Sequence, residues 1–293
     1  MAKRWNMEEL NILYNNYQEI GAKGCNQLLP HRPVTSICSK AKQLNIKFNV
    51  NNLYKVRLKD SNSFAVNPNM FLNCKLPETA YLLGFIWGDG HIVHINTKGK
   101  HEHKVITNIL TNDMNHIRHI FDLHGKWNFN EKIPNSKDGY NRKPFTRIYT
   151  SNRLLVNFLE ANDYHLKSGI SADKILNNIP INLRNYFILG LIDADGCFNL
   201  CKNTKKNKGG WTRRCIIAST YDQDWTYLEK ILSNLDIKYY ISRRITKIGK
   251  GSVLTMSGLA NLTKLYNYLY PNKFQFGLKR KYDKCLELLI DRH

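Results

Sequence analysis

Two stretches of the chain place apolar residues at nearly every position and then stop on an acid and a glycine: YLLGFIWGDGHI at 81–92 and FILGLIDADGCF at 187–198. Phe187, Ile188, Leu189, Leu191 and Ile192 cover most of the circumference of a helix, which predicts burial on nearly every side. The two stretches align without a gap at a spacing of 195 − 89 = 106 residues, and the pattern behind each runs in the same order. Alternating β-branched and aromatic residues between Gly, Asn and Lys turns predict hairpins, and i, i+3, i+4 apolar spacing predicts helices. In the first copy HIVHIN pairs with KVITNILT and KWNFNEKI with TRIYTS, with helices at HIRHIFDLHG and RLLVNFLEAND. In the second CFNLCK pairs with TRRCIIAST and KYYISRRI with SVLTMSG, with helices at WTYLEKILSNL and LANLTKLYNYLY. Each unit is αββαββα, so the expectation is an α+β protein of two pseudo-symmetric repeats, 76–178 and 179–293.

Residues 1–47 follow a different pattern. They predict three short helices, Met7–Tyr17, Cys25–Leu29 and Thr35–Leu44, with Thr35 as N-cap of the third and Ile37, Ala41 and Leu44 on its inner face. The third helix is polar and basic, which fits a small all-α helix-turn-helix domain. The early Trp5, the acidic pair Glu8–Glu9 and the terminal helix resemble Myb-like DNA-binding domains, which implies contacts to DNA from Lys40 and Lys42. A packing domain without DNA contact is the alternative. Residues 48–75 are rich in Asn without sustained periodicity and are expected to form a linker.

Charge narrows the class of partner. Lys and Arg total 44 against 23 Asp and Glu in 293 residues, a formal charge of +21. That excess calls for a polyanion. No apolar run approaches the length of a membrane span, and Met1–Leu10 lacks the apolar segment of a secretion signal, so no membrane partner is expected. Seven cysteines without a C-x-x-C pair point to an intracellular, reducing compartment. The basic residues cluster on turns: 201–214 holds six and 238–250 five, with no acid in either. Lys202, Lys205, Lys206, Arg213, Arg214, Arg243, Arg244 and Arg147 are therefore candidate DNA contacts.

Gly84 and Gly88 in the first apolar helix match Gly190 and Ala194 in the second. Glycine inside a helix costs about 1 kcal/mol relative to alanine, so a repeated small-residue stripe predicts two helices packed backbone to backbone. Asp89 and Asp195 then sit in the last turns, each before a glycine suited to the left-handed conformation that ends a helix. The helix dipole and mutual repulsion both oppose paired carboxylates there, and divalent cations would remove both penalties.

These paired motifs, the second reading LGLIDADG outright, resemble the LAGLIDADG homing endonucleases over about residues 76–290. The resemblance implies saddle-shaped antiparallel sheets lying in the major groove of double-stranded DNA, and a single chain acting as a monomer that cuts both strands of a long asymmetric site. It makes Asp89 and Asp195 the catalytic metal ligands, aided by the backbone of Gly88 and Ala194. The expected cofactor is two or three Mg²⁺ ions, with Mn²⁺ as substitute and Ca²⁺ supporting binding without cleavage. Asp193 is not implied, because the first copy has Trp87 in its place. The family's basic residue near the end of each repeat maps onto Lys167 in HLKSG and Lys279 in GLKRK, and its water-orienting polar residue onto Thr111 and Thr220. The same fold also serves intron RNA maturases, which makes intron RNA the second partner to consider, and non-cleaving regulators.

Overall fold

In the computed structural model, which describes residues 5–47, 66–97, 100–133, 143–202, 211–246 and 249–290, the chain divides into two units, Met1–Phe64 and Ala65–His293. In the smaller unit, α1 (Met7–Leu28) is capped by a reciprocal pair in which Asn6 and Glu9 each bond the other's backbone N–H at 2.9 Å. Gly21, at φ 64°, breaks it in the left-handed region, so α1 is two helices joined at a kink. The next helix, α2 (Val34–Gln43), starts one residue before the expected cap: Pro33 occupies the N-cap position and Thr35 caps nothing. Leu13, Cys25, Leu29 and Ile37 form the core of this unit. Arg32 pins Glu9 through two nitrogens at 2.9 Å and stacks 4.6 Å over Trp5, and its bonds are the main reason the Glu9 carboxyl falls to about 2.

The larger unit is built on α4 (Pro77–Asp89) and α8 (Arg184–Asp195). Every residue of 79–87 in the first and of 185–193 in the second is buried. The two helices meet reciprocally: a methyl group added at Gly84 would fall inside the Phe187 carbonyl oxygen, and one at Gly190 inside the Tyr81 carbonyl oxygen. Since 187 − 81 and 190 − 84 are both 106, the contact obeys a pseudo-twofold axis. No side chain larger than hydrogen fits at either point.

After α4 come β1 (His91–Thr97), β2 (Lys100–Leu110), α5 (Thr111–Leu123), β3 (Asn128–Lys132), β4 (Phe145–Thr150) and α6 (Arg153–Ala161). After α8 come β5 (Gly196–Lys202), β6 (Trp211–Ser219), α9 (Thr226–Asn234), β7 (Tyr239–Thr246), β8 (Gly249–Ser257) and α10 (Leu259–Leu269), with α11 (Lys279–Leu289) at the end. The sheets share one topology, β1-β2-β4-β3 and β5-β6-β8-β7, antiparallel throughout. Each buries one face: Thr146, Ile148 and Thr150 of β4 point inward while Phe145, Arg147 and Tyr149 lie on the open face. No described helix is long and apolar enough to cross a membrane.

The end of the expected linker belongs to this core. Residues 68–72 form α3 (Pro68–Leu72), with Val66, Phe71 and Cys74 buried, and Asn152 Nδ2 donates to the Val66 carbonyl at 2.8 Å. Five residues are too few to show a period in the sequence. Between the repeats, a 3₁₀ turn (Tyr164–Leu166) and α7 (Asp173–Leu176) carry the chain from α6 to α8.

Gly84→Ala or Gly190→Ala should destabilise this unit by about 3 kcal/mol or more, because backbone must part to admit the methyl. For a domain of this size that is a fall in Tm of about 6–12 °C by differential scanning calorimetry. Gly169→Ala, whose methyl would meet nothing nearer than 3.9 Å, should leave Tm unchanged within error.

Candidate active site

Asp89 and Asp195 are the last residues of α4 and α8. The glycines after them are extended rather than left-handed, at φ −80° and −83°. Space, not backbone conformation, demands glycine there: a methyl at Gly90 would lie 2.5 Å from the Tyr164 hydroxyl, and one at Gly196 2.6 Å from the Ile192 carbonyl. The small-residue stripe brings the acids toward each other, because a methyl at Gly88 would stand 2.5 Å from Ala194 Cβ and 3.1 Å from Asp195 Oδ2. Both side chains are exposed, yet the protein packed around them desolvates both carboxyls enough to raise them. Asp195, further opposed by the Asp89 charge, rises to about 6, while Lys281 and Lys167 pull against the rise at both acids.

Each helix end is closed by a lysine. Lys167 Nζ donates to the Trp87 carbonyl at 2.6 Å and also to that of Gly88. Lys281 Nζ donates to the carbonyls of Ile192, Asp193 and Gly196 at 2.7, 2.6 and 2.7 Å. An ammonium group satisfies orphan carbonyls and favours the negative end of the helix dipole. Burial nevertheless lowers both lysines, Lys167 to about 8. At the end of α8 the structure places Lys281, two residues beyond the expected Lys279. Lys279 opens α11 on its exposed side and pairs with Asp283 one turn on. Three consecutive basic residues hide this choice, and only the direction of the α11 surface decides it.

Asp193 has a structural place. It is 2% exposed, and its Oδ2 accepts from Tyr81 Oη at 2.9 Å and from the Leu278 N–H at 2.8 Å. Burial raises its carboxyl to about 6. Asp113, not anticipated from the sequence, holds Arg280 through both its oxygens at 2.8–2.9 Å and ties α5 of the first repeat to α11. Gln223 does the corresponding work across the molecule, donating from Nε2 to the Ile170 carbonyl at 2.9 Å. A 113–280 ion pair leaves no periodic trace, since its partners are 167 residues apart.

A cavity of about 250 Å³ beside Asp89 is lined by Asn108, Asp113 and Arg280, and one of about 180 Å³ beside Asp195 by Lys167, Thr220 and Gln223. Strand register separates the two threonines. His91 pairs with Ile106 and Cys197 with Ile216, which makes Leu110 the counterpart of Thr220. Thr111 instead opens α5, with its hydroxyl 3.3 Å from that of Thr146. Asn108 is the polar side chain that the return strand supplies beside Asp89.

The arginines fall on both faces of their sheets. Arg147, Arg214 and Arg244 stand on the open faces, opposite buried Ile148, Cys215 and packed Ile241 in the alternation. Arg213 and Arg243 point to the helical side of their sheet: Arg213 Nη2 donates to the Ile290 carbonyl at 2.9 Å, and Arg243 donates to those of Tyr221 and Gln223 at 3.1 and 3.2 Å. The residue alternation along β6 and β7 forces this split. Lys202 is exposed at the end of β5, and Lys205 and Lys206 lie outside the described residues. In the smaller unit Lys42 is exposed on α2, and half-buried Lys40 donates to Gln43 Oε1 at 3.0 Å.

Among the described residues no cluster of three or more His, Cys, Asp or Glu side chains forms a metal cage. The two facing carboxylates do fit a hard divalent ion of the Mg²⁺ type, which takes one or two carboxylates and completes its shell with water and substrate phosphate. Desolvation raises both carboxyls, a cost to their charged forms that a bound cation would offset. The Gly88 carbonyl already accepts from Lys167, whereas Lys281 bonds the carbonyls on either side of Ala194.

The LAGLIDADG endonuclease family model matches residues 188–283. No curated protein sequence matches the chain. Among solved structures, the LAGLIDADG meganuclease I-AabMI bound to uncleaved DNA is 15% identical, covering 73% of this chain and 90% of its own, with a TM-score of 0.51. I-SmaMI bound to uncleaved DNA in the presence of calcium ions is 14% identical, covering 73% and 91%, with a TM-score of 0.50. At these identities the structures establish a shared fold.

Lys281→Met should destabilise the unit by about 2–3 kcal/mol in urea unfolding, because three carbonyls lose their donor. Lys279→Ala, which removes an exposed pair, should change it by less than about 1 kcal/mol. The Asp195 carboxyl must lose its proton to accept a cation, and its pKa of about 6 lies above the ordinary range. Calcium affinity measured by isothermal titration calorimetry should therefore be flat above pH 7 and fall about tenfold per pH unit below 6.

Proposed function

We propose, from a second repeat matched by the LAGLIDADG endonuclease family model and two repeats in the fold of the solved LAGLIDADG structures, a site-specific DNA endonuclease that cuts both strands of an asymmetric duplex. The observation that carries this reading is the pair of carboxylates, Asp89 and Asp195, delivered side by side by two helices that touch at their backbones. One acid per repeat suits one cut per strand.

Asp89 and Asp195 would hold divalent metal, Mg²⁺ by the chemistry of the donor set, which would polarise phosphate, lower the pKa of water and stabilise the leaving oxygen. The chain does the rest. Lys167 and Lys281 neutralise the helix ends that present the acids. Asp193 fixes α8 against α4 and the approach to α11, and the Asp113–Arg280 pair fixes α11 against the first repeat. The open faces of the two sheets, with Arg147, Arg214 and Arg244, supply phosphate grip and base contacts. Duplex DNA as partner is supported by the DNA held in the solved relatives and by the net charge of +21. The smaller unit, with Lys42 exposed on α2, adds a second contact to the same duplex.

The reading is tested on a supercoiled plasmid bearing the uninterrupted form of the locus that flanks the gene. Asp89→Asn or Asp195→Asn should reduce linearisation by about 10²-fold or more while leaving nicked circles and Ca²⁺-dependent binding. A single variant that linearises the plasmid at the wild-type rate would remove the paired-carboxylate mechanism.

A further inference from the structure

The two sheets share register but not chemistry. On the first, one rung of the open face runs from Asn108 through Arg147 to Asn130, set by the pairs Asn108–Arg147 and Asn130–Arg147. The pseudo-symmetric rung on the second runs from Ala218 through Val253 to Ser242. Correspondence follows from the buried neighbours: Ile148 pairs with Thr107 and Phe129, and Leu254 pairs with Ile217 and Ile241. At one and the same distance from the pseudo-twofold axis, therefore, one half of the molecule presents a guanidinium flanked by two amides. The other presents an isopropyl group flanked by a methyl and a hydroxyl.

Among the described residues, the Arg147 guanidinium meets an amide and no carboxylate. Its Nε donates to Asn108 Oδ1 at 3.4 Å, an amide rather than a carboxylate, so the charge and the Nη donors remain for a ligand. In the major groove, arginine matches the O6 and N7 acceptors of guanine, asparagine matches adenine, and aliphatic groups match the thymine methyl. Two rungs related by a twofold axis meet symmetry-related base pairs of a duplex lying across both sheets.

Resting on the endonuclease reading, we propose that Arg147 and Val253 are a specificity-determining pair that breaks the symmetry of the target: one half-site carries guanine under Arg147, and the symmetry-related position of the other half-site carries thymine under Val253. The asymmetry of the DNA is then written at a defined rung rather than spread over the basic hairpin turns.

Selection of sites by the full chain from randomised duplexes in Ca²⁺, followed by binding measurements on single-base variants, tests this. The wild-type consensus should hold guanine in one half and thymine at the mirrored position of the other. Arg147→Ala should lose the guanine preference, a discrimination of about 5- to 150-fold, with other positions unchanged. Val253→Arg, a change on the open face, should create a guanine preference at the mirrored position. The proposal is overturned if the wild type selects the same base at both mirrored positions, or if Arg147→Ala weakens binding to every sequence equally, as loss of a phosphate contact would. Failure to select any duplex would overturn it together with the endonuclease reading, whereas selection of a discrete site with the wrong bases would overturn this proposal alone.

Discussion

The contact of Gly84 with the Phe187 carbonyl, mirrored by Gly190 with that of Tyr81, is the constraint from which the rest of the molecule follows. Helices whose peptide groups touch cannot be pushed apart by side chains, so whatever stands at their C-terminal ends must also converge. Two carboxylates and two negative dipole ends meet there. That concentration of charge explains why a lysine closes each helix end despite the cost of burying it. Desolvation at the crossing raises both acids from their ordinary range, and at Asp195 the charge of Asp89 adds to the rise. The electrostatic cost at the crossing is thus a product of packing, which the two lysines offset in part.

The cross-ties hold the acids in register by joining each repeat to the segment that follows the other. Asp113 on α5 grips Arg280 from the end of the chain, and Gln223 before α9 grips the backbone at Ile170 between the repeats. One tie is an ion pair and the other a hydrogen bond donated by a neutral side-chain amide. Both Lys281 and Lys167 lie within a few residues of these ties, so the lysines inherit their placement from the opposite repeat.

The duplicated fold was legible in the sequence because its signals are local and doubled: the apolar helices and the terminal acids recur 106 residues on, and the hairpin alternation follows each copy in the same order. Features that depend on direction within an element were not. Lys279 and Lys281 differ only in which side of α11 they occupy, and Arg213 and Arg214 only in which face of β6. Pairings across the fold were invisible for another reason: Asp113 and Arg280, or Asp193 and Tyr81, share no spacing that a period could reveal. Helix α3 escaped notice because five residues cannot establish a pattern.

The Tyr81–Asp193 hydrogen bond also bears on ancestry. Repeats related by a twofold axis suggest two copies that once paired as equals, yet this bond joins unlike residues. Phe187 occupies in the second repeat the place Tyr81 has in the first, and Trp87 the place of Asp193. A dimer of two second repeats would offer each buried carboxylate a phenyl ring with no hydroxyl, leaving it the Leu278 N–H alone where it now has two donors. The second repeat is therefore better satisfied by the first than by a copy of itself, a dependence that separating the two repeats would expose.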